Sequence, residues 1–188
     1  MKLVKIGLAS LATASWLFAG TYNVDVSHSN VGFKVKHMMI SNVVGSFDKF
    51  SGKFEYDEKT KTIKSFTGDI DVSSINTSIA KRDEHLKSAD FFDVAKYPNI
   101  KFNIIKIEDD VAYGKLTMHG ITKDVKLQLE NNGIVKDPSG NIRVGITLNG
   151  TIERKDFGLT YNSVLEAGGI AIGDKVKLEV EIEGILQK

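Results

Sequence analysis

The chain has 188 residues, with 25 Lys and Arg against 24 Asp and Glu, a formal net charge of +1, and no cysteine. This length suffices for one domain with a sizeable core, and the balanced charge argues against nucleic-acid binding. Without cysteine there are no disulfides, so an ordinary hydrophobic core must stabilise the domain.

A cleaved signal peptide is predicted at residues 1–19. Lys2 and Lys5 give a basic start and the apolar run LASLATASWLFAG follows, an order that is typical of secretory leaders. The run is short for a helix that spans a membrane. We therefore expect cleavage after Ala19, export of the protein without an integral membrane segment, and a single domain over residues 20–188.

Most of the remaining chain alternates apolar and polar residues, which predicts strands with one apolar face. Seven segments alternate most clearly: NVGFKVKH, FSGKFEY, SFTGDIDV, IKFNI, KDVKLQLE, NIRVGITLNGTIE and KVKLEVEIEGIL. Five turn-forming sequences separate them: YDEKTK, EDDVAYG, MHGITKD, NNG and DPSGN. We expect eight or nine antiparallel strands, and a sheet of that length must close or fold on itself to hide its edges.

One segment, at about residues 76–93, breaks the alternation and predicts a short helical insert. Ile79 and Leu86 lie seven residues apart, a helical spacing that should hold the helix to the sheet. Three residues are candidates for its N-cap: Asn76, Thr77 and Ser78. Phe91 and Phe92 follow in a second short turn.

Catalytic and metal sites receive little support from the sequence. The four histidines are widely separated and have no metal-binding spacing: His28, His37, His85 and His119. We therefore predict no metal and no cofactor. A hydrolase that uses Ser29, His85 and Asp83 is an alternative, but it requires these three side chains to converge within hydrogen-bond reach.

The number of phenylalanines raises the question of what fills the domain. A closed barrel of about eight strands can hold one small ligand, and binding pockets are mostly apolar. The same residues could instead form a filled core, as expected of a structural or stress-response interaction protein. Composition alone leaves both interpretations open.

Five motifs are spread over almost the whole domain. They are D-x-x-H-S (Asp25, His28, Ser29), R-D-x-H-L with F-F-D (Arg82, Asp83, His85, Leu86, Phe91, Phe92, Asp93), Y-P with Phe102 (Tyr97, Pro98), G-x-L-x-x-x-G-x-T (Gly114, Leu116, Gly120, Thr122) and R-x-D-F-G (Arg154, Asp156, Phe157, Gly158). Together they resemble the YceI-like family of exported, lipocalin-like polyisoprenoid-binding proteins.

The resemblance implies an all-β, extended eight-stranded antiparallel lipocalin-like barrel with one short helical insert. It implies a long hydrophobic cavity that holds an isoprenoid or a related long-chain amphiphile. We accordingly expect a periplasmic lipid-binding protein for transport, storage or sequestration, without enzymatic activity. A homodimer is a further expectation, because some family members are dimeric.

Alternation and the resemblance together predict which residues contact the ligand. The lipid tail is expected along seven apolar side chains: Phe33, Val35, Phe91, Phe92, Phe102, Met118 and Phe157. The head group is expected at a mouth lined by four polar side chains: Ser29, His37, Arg82 and His85. Arg82 suits a phosphate or carbonyl head group. Its alternative role is an ion pair with a neighbouring carboxylate: Asp83, Asp90 or Asp93.

Overall fold

The computed structural model of the protein describes residues 19–164 and 169–187. Of the predicted signal peptide, only Ala19 lies within the described residues. Eleven strands and one α-helix form in this part of the chain: β1 Gly20–Val24, β2 Asn30–His37, β3 Ser41–Phe47, β4 Phe50–Asp57, β5 Thr62–Asp71, β6 Ile75–Asn76, α1 Ala80–Lys87, β7 Asn99–Glu108, β8 Val111–Met118, β9 Ile121–Lys136, β10 Ile142–Glu153 and β11 Ile172–Leu186. No helix in these residues is long and apolar enough to cross a membrane.

Eight of the strands close into a ring. Each pairs with the next in the order β1, β4, β5, β7, β8, β9, β10 and β11, and β1 pairs again with β11. All of these pairings are antiparallel. Closure satisfies the sheet edges that an open sheet would expose, and it confirms the predicted eight-stranded antiparallel barrel with one short helix.

The chain of β1 continues into β2 after a single 3₁₀ turn at Val26–His28. β2 then pairs with the first part of β11, from Val31 opposite Val180 to His37 opposite Ile172. We call the end of the barrel at which β10 finishes and β11 begins the mouth end. The opposite end, around β1, is called the closed end.

The wall is incomplete beside β3, and helical structure covers this part of it. β3 pairs with β2 along its whole length, but with β6 only through Ser46 and Phe47. Next to this short pairing lie α1 and the residues that follow it, and the Phe92 ring meets the Phe47 ring edge-on, 6.2 Å between centroids. The predicted helical insert therefore completes the barrel wall.

The alternating segments coincide with β2, β4, β5, β7, β9, β10 and β11, but three predicted turns differ from the structure. The VAYG part of EDDVAYG opens β8, and the ITKD part of MHGITKD opens β9. NNG lies within β9, where Asn132 is the extra residue of a bulge opposite Gly145 and Ile146. Gly133 has a φ of +103° there. A bulge bends a strand without ending it, so a turn-like sequence continues as sheet.

Aromatic rings fill the closed end of the barrel. The Tyr22 ring stacks on Phe54 with centroids 5.3 Å apart, and it meets Tyr56 edge-on at 6.0 Å. Phe54 in turn stacks on Phe66 at 6.3 Å. All four rings are buried, and a methyl group on Gly184 would collide with the Phe54 ring. This half of the barrel is therefore a solid core.

Two methionines form the turn between β2 and β3 in an unfavourable backbone conformation. The Ile40 N–H donates to the His37 carbonyl at 3.2 Å, and the two residues between them have positive φ, +49° at Met38 and +64° at Met39. This is a type I′ turn, which favours Asn-Gly. For other residues the left-handed conformation costs roughly 1–2 kcal/mol each.

Replacing Met38 by Asn and Met39 by Gly should therefore stabilise the protein. We expect the free energy of unfolding, measured by urea denaturation, to rise by about 1–2 kcal/mol because both new residues accept positive φ. The matched control changes both residues to Ala, which removes the same side chains but keeps the backbone cost. An Asn-Gly variant no more stable than the Ala-Ala control would show that the turn carries no strain.

Candidate functional site

An elongated apolar cavity of about 170 Å³ runs inward from the mouth end of the barrel. Its wall includes both Ile172 and Ile182 of β11, ten residues and so roughly 30 Å apart along the strand. Ser51 and Arg154 are the polar side chains in the wall. The apolar side chains are Val24, Val31, Phe33, Val35, Phe47, Phe50, Phe66, Ile70, Leu86, Phe91, Phe92, Ile100, Phe102, Leu116, Met118, Val125, Leu127, Leu148, Ile152, Leu159, Ile172, Val176, Leu178, Val180 and Ile182.

The structure brings most of the predicted tail-contacting residues together in this wall. Six of the seven line the cavity: Phe33, Val35, Phe91, Phe92, Phe102 and Met118. Phe157 does not line it, because it lies in the 3₁₀ turn Arg154–Phe157 after β10 and is buried in the core. Strand alternation no longer sets the direction of a side chain four residues beyond the last residue of β10. Binding of a tail by the six remains a prediction.

Arg154 is a buried charge in the cavity wall, only 4% exposed. Its five N–H groups all have acceptors: the carbonyls of Leu159, Tyr161, Ile172 and Gly173 and the carboxylate of Asp174. Burial lowers the pKa of Arg154, and the charge of Asp174 opposes this effect. Arg154 thus ties two segments, residues 159–161 and 172–174, to the end of β10, and its donors are not available to a ligand.

The sequence contains a signal for Arg154 that our site prediction did not use. Arg154 follows Ile152 by two residues, so alternation carries an arginine onto the same inward face. A charge at such a position needs partners that satisfy it. Four of its five acceptors come from the YNSVLEAGGIAIGD segment, which has no regular alternation to mark it as a strand.

Three rings cover the cavity at the mouth end. His85 of α1, Phe91 and Tyr161 lie with their centroids 4.8 to 5.0 Å apart in every pair. Phe91 is buried and faces the cavity, whereas Tyr161 is exposed on its outer side. The rings therefore join α1 to the segment that Arg154 holds, and we call them the ring cover.

Arg82 and Asp83 hold Thr77 just before α1. The Arg82 Nε donates to the Thr77 hydroxyl at 2.7 Å, and Nη2 donates to the Thr77 carbonyl at 2.8 Å. The Asp83 carboxylate accepts from the Thr77 N–H at 2.9 Å and from its hydroxyl. Thr77 is buried, so this network fixes the start of the helix. Within the described residues, Arg82 makes none of the three ion pairs considered from the sequence.

The predicted N-cap of α1 is wrong. Ile79 occupies this position, and no side chain caps the helix there. Thr77 is engaged by Asp83, and the Asn76 side chain accepts from the Ser78 N–H at 2.9 Å. The helix therefore starts later than expected. Ile79 is exposed and Leu86 lines the cavity, so of the two predicted apolar contacts Leu86 alone packs against the barrel.

The four residues predicted for the head group do not meet at one mouth. His37 ends β2 at the mouth end, whereas Ser29 precedes β2, about 26 Å away along the strand. The Ser29 hydroxyl donates to the Glu183 carbonyl at 3.3 Å and accepts from the Glu183 N–H at 2.9 Å. His85 lies in the ring cover and Arg82 one turn earlier in α1. A binding role for any of them remains a prediction.

The residues of the hydrolase alternative are also separated. Ser29 lies beyond the closed-end start of β2, and His85 lies in the ring cover at the mouth end. The His85 Nε2 is 3.1 Å from an Asp90 carboxylate oxygen, and Asp83 is hydrogen-bonded to Thr77. Ser29, His85 and Asp83 therefore form no catalytic triad.

The D-x-x-H-S motif belongs to an ionic cluster at the closed end. The Arg143 Nη1 lies 2.8 Å from Asp25 and also contacts Glu183, while its Nε lies 2.7 Å from Asp137. The His28 Nδ1 is 2.9 Å from Asp25. Asp25, His28 and Glu183 lie close enough to hold a metal ion, but the Arg143 guanidinium already contacts both carboxylates. The cluster joins β10 and β11 to the turn after β1.

The charge of Arg143 shifts the protonation of its partners. Its hydrogen bond is the largest cause that lowers the pKa of Asp25 to about 2, and the hydrogen bond from His28 is the next. The hydrogen bond from Arg143 likewise lowers the pKa of Asp137. Both carboxylates therefore stay ionised in the folded protein at pH values at which they would be protonated in the unfolded chain.

This cluster makes the stability of the protein sensitive to acid. The folded pKa values of Asp25 and Asp137 lie below the unfolded value of about 3.9, so the stabilisation is present above about pH 4 and is lost as the pH falls toward 2.

Arg143→Gln should lower the unfolding temperature at neutral pH and flatten its decline over this acid range, as followed by circular dichroism. Lys126→Gln, an equal change of net charge elsewhere, should keep the wild-type acid profile. An Arg143→Gln variant as acid-sensitive as wild type would contradict this role of the cluster.

Known proteins are similar to this chain in sequence and in fold over nearly the whole domain. The model of the YceI-like domain family matches residues 22–184. A UPF0312 protein of Staphylococcus aureus strain N315 is 38% identical over 163 residues, which are 86% of this chain and 95% of the relative. The crystal structure of a YceI protein from Campylobacter jejuni is 35% identical, with a TM-score of 0.71 over 87% of this chain and 96% of the other.

A more distant structure shares the fold alone. It is a polyisoprenoid-binding domain from Saccharophagus degradans, implicated in plant cell wall breakdown, and it is 16% identical with a TM-score of 0.67. The likeness covers 90% of this chain and 100% of that domain. The family match and the 38% identical relative are the stronger findings, and on them this chain belongs to the YceI-like domain family.

Proposed function

We propose that the protein binds one long apolar chain, of an isoprenoid or a related amphiphile, in the mouth-end cavity of its barrel. The observation that carries the proposal is the composition of the wall, which among the described residues is apolar apart from Ser51 and the fully hydrogen-bonded Arg154. Water gains little in such a cavity, because a buried water needs two to four polar partners. A hydrocarbon chain needs none.

The energetics favour a chain over a compact ligand. Each methylene buried from water contributes about 0.8 kcal/mol, so a chain of about ten carbons would gain several kcal/mol without any polar contact. The wall extends along β11 from Ile172 to Ile182 and ends at Phe66, which stacks into the solid closed end. These limits suit one extended tail whose head group stays at the mouth end.

The fold likeness to the polyisoprenoid-binding domain of Saccharophagus degradans supports the ligand class. The predicted signal peptide supports a periplasmic location, in which the protein would transport, store or sequester the lipid. His85 is the best placed of the predicted head-group residues, because its neighbours Leu86 and Phe91 both line the cavity. Its imidazole would reach a polar head that leaves the cavity past Tyr161.

Extraction of the purified protein with organic solvent should release a long-chain lipid. We expect one lipid per protein chain by mass spectrometry of the extract, calibrated against the amount of protein extracted. A wash with mild detergent that leaves the barrel folded is the control, because it should remove lipid that adheres only to the protein surface. Protein that repeatedly yields no lipid, when purified from cells in which it was exported, would contradict the proposed function.

Phe92→Glu should lower lipid occupancy while the barrel stays folded. A carboxylate at this position in the wall faces hydrocarbon, so binding should fall by tenfold or more, which corresponds to about 1.4 kcal/mol per tenfold. The measurement is lipid per chain at matched protein concentration, with circular dichroism as the test of folding. Ile105→Glu is the control, because Ile105 is exposed on β7 and lies outside the cavity wall. Unchanged occupancy in Phe92→Glu would remove Phe92 from the binding wall.

A further inference from the structure

An apolar tip projects from the mouth end of the barrel. It consists of Met38, Met39 and Ile40 in the β2–β3 turn, with Val164 and Ile170 beside them. Met39 is 65% exposed, Ile40 85% and Val164 84%. Single exposed apolar residues are common on protein surfaces, but a contiguous exposed group marks an interaction site.

The tip is continuous with the end of the cavity. The Met38 N–H donates to the Ala171 carbonyl at 2.8 Å, and Val164 and Ile170 are bridged to each other in antiparallel register. Two residues after Ile170, Ile172 pairs with His37 and lines the cavity. A surface that contacted the tip would therefore lie next to the ring cover.

The backbone of the tip points to a role for its side chains. Met38 and Met39 both have positive φ in a turn that Asn-Gly would form at lower cost. Strained backbone tends to occur where function requires a particular side chain. Here the strain places two large, flexible apolar side chains on the exposed hairpin turn at the mouth end.

Within β2, β3 and the turn between them, the charge has one sign. Residues 26–47 contain no Asp or Glu. Lys34 is paired with Glu179 across the sheet, but Lys36 is exposed next to the turn. Apolar side chains flanked by lysine are typical of surfaces that enter the head-group region of an anionic bilayer.

We propose that the apolar tip docks the mouth end of the protein on an anionic phospholipid bilayer. Met39 and Ile40 enter the interface, and Lys36 contacts lipid phosphates. This inference rests on the proposed lipid-binding function, since docking would let a ligand pass between the bilayer and the cavity by way of the ring cover, without crossing water.

A second copy of the chain is the competing occupant of the tip. A two-fold symmetric contact through this surface would bring the Lys36 side chains of both copies toward the same small interface. Like charges placed together oppose association, whereas lipid phosphates neutralise the same lysines. The charge therefore favours the bilayer.

The test is co-sedimentation of the purified protein with vesicles. The variant Met39→Asp/Ile40→Asp carries charge at the tip, and Asp is among the residues that accept positive φ, so the turn is retained. Val135→Asp is the control for an added negative charge away from the tip, because Val135 is 62% exposed on β9 at the other end of the barrel. Vesicles of equal phosphatidylglycerol and phosphatidylcholine are compared with vesicles of phosphatidylcholine alone.

We expect wild type and Val135→Asp to bind the anionic vesicles, with binding weakened by salt, and the tip variant to bind at least tenfold more weakly. Equal binding by all three proteins, or no binding by wild type, would overturn the proposal. A wild-type dimer that light scattering shows to become a monomer in the tip variant would assign the tip to a second copy instead.

A second assay, binding of cis-parinaric acid from solution, distinguishes a failure of membrane docking from a failure of lipid binding in the cavity. We expect the tip variant to bind the fluorescent acid as wild type does, since its cavity is unchanged. Parinarate binding together with failed vesicle binding would overturn docking alone. Absence of parinarate binding in every variant would count against the proposed function, and the vesicle comparison would still decide docking.

Discussion

The interior width of an eight-stranded ring is the constraint on which the rest of this structure depends. Such a barrel is just wide enough for side chains to fill it or for one small ligand to enter. At the closed end, Tyr22, Phe54 and Tyr56 fill it completely. Along β2 and β11 toward the mouth end, larger inward side chains alternate with four valines: Val31, Val35, Val176 and Val180. The same ring is therefore solid in one half and leaves room for a chain in the other.

Arg154 fixes the positions of the chain segments at the mouth end. A charge in an apolar wall is costly unless hydrogen bonds satisfy it, and Arg154 meets this condition through five acceptors on the segments that follow β10. The segments so held position Tyr161 against His85 and Phe91. One buried guanidinium thus connects the end of the barrel, the ring cover and α1.

Residue patterns predicted the wall of the cavity better than its ends. Alternation places Val31, Phe33 and Val35 on one face of β2, and the structure finds all three in the wall, because side chains in a strand repeat every two residues. Alternation carries no information about which end of a strand approaches another element. Ser29 and His37 could therefore be grouped from the sequence although they lie at opposite ends of β2.

Local competition for hydrogen bonds explains the other differences. Thr77 looked like a helix cap, but Asp83 and Arg82 engage its N–H, hydroxyl and carbonyl groups, and Ile79 occupies the cap position. NNG looked like a turn, but Gly133 allows a bulge inside β9. The first outcome depends on partners that lie outside the capping motif. The second depends on a choice between a turn and a bulge, both of which the same residues permit.

Native mass spectrometry of the exported protein tests most directly whether the barrel holds a lipid. Lipid binding predicts that the native mass exceeds the denatured mass of the same chain by one long-chain lipid, and that mild collisional activation removes this difference as a single species. Equal native and denatured masses, in protein that was never exposed to detergent or organic solvent, would contradict it.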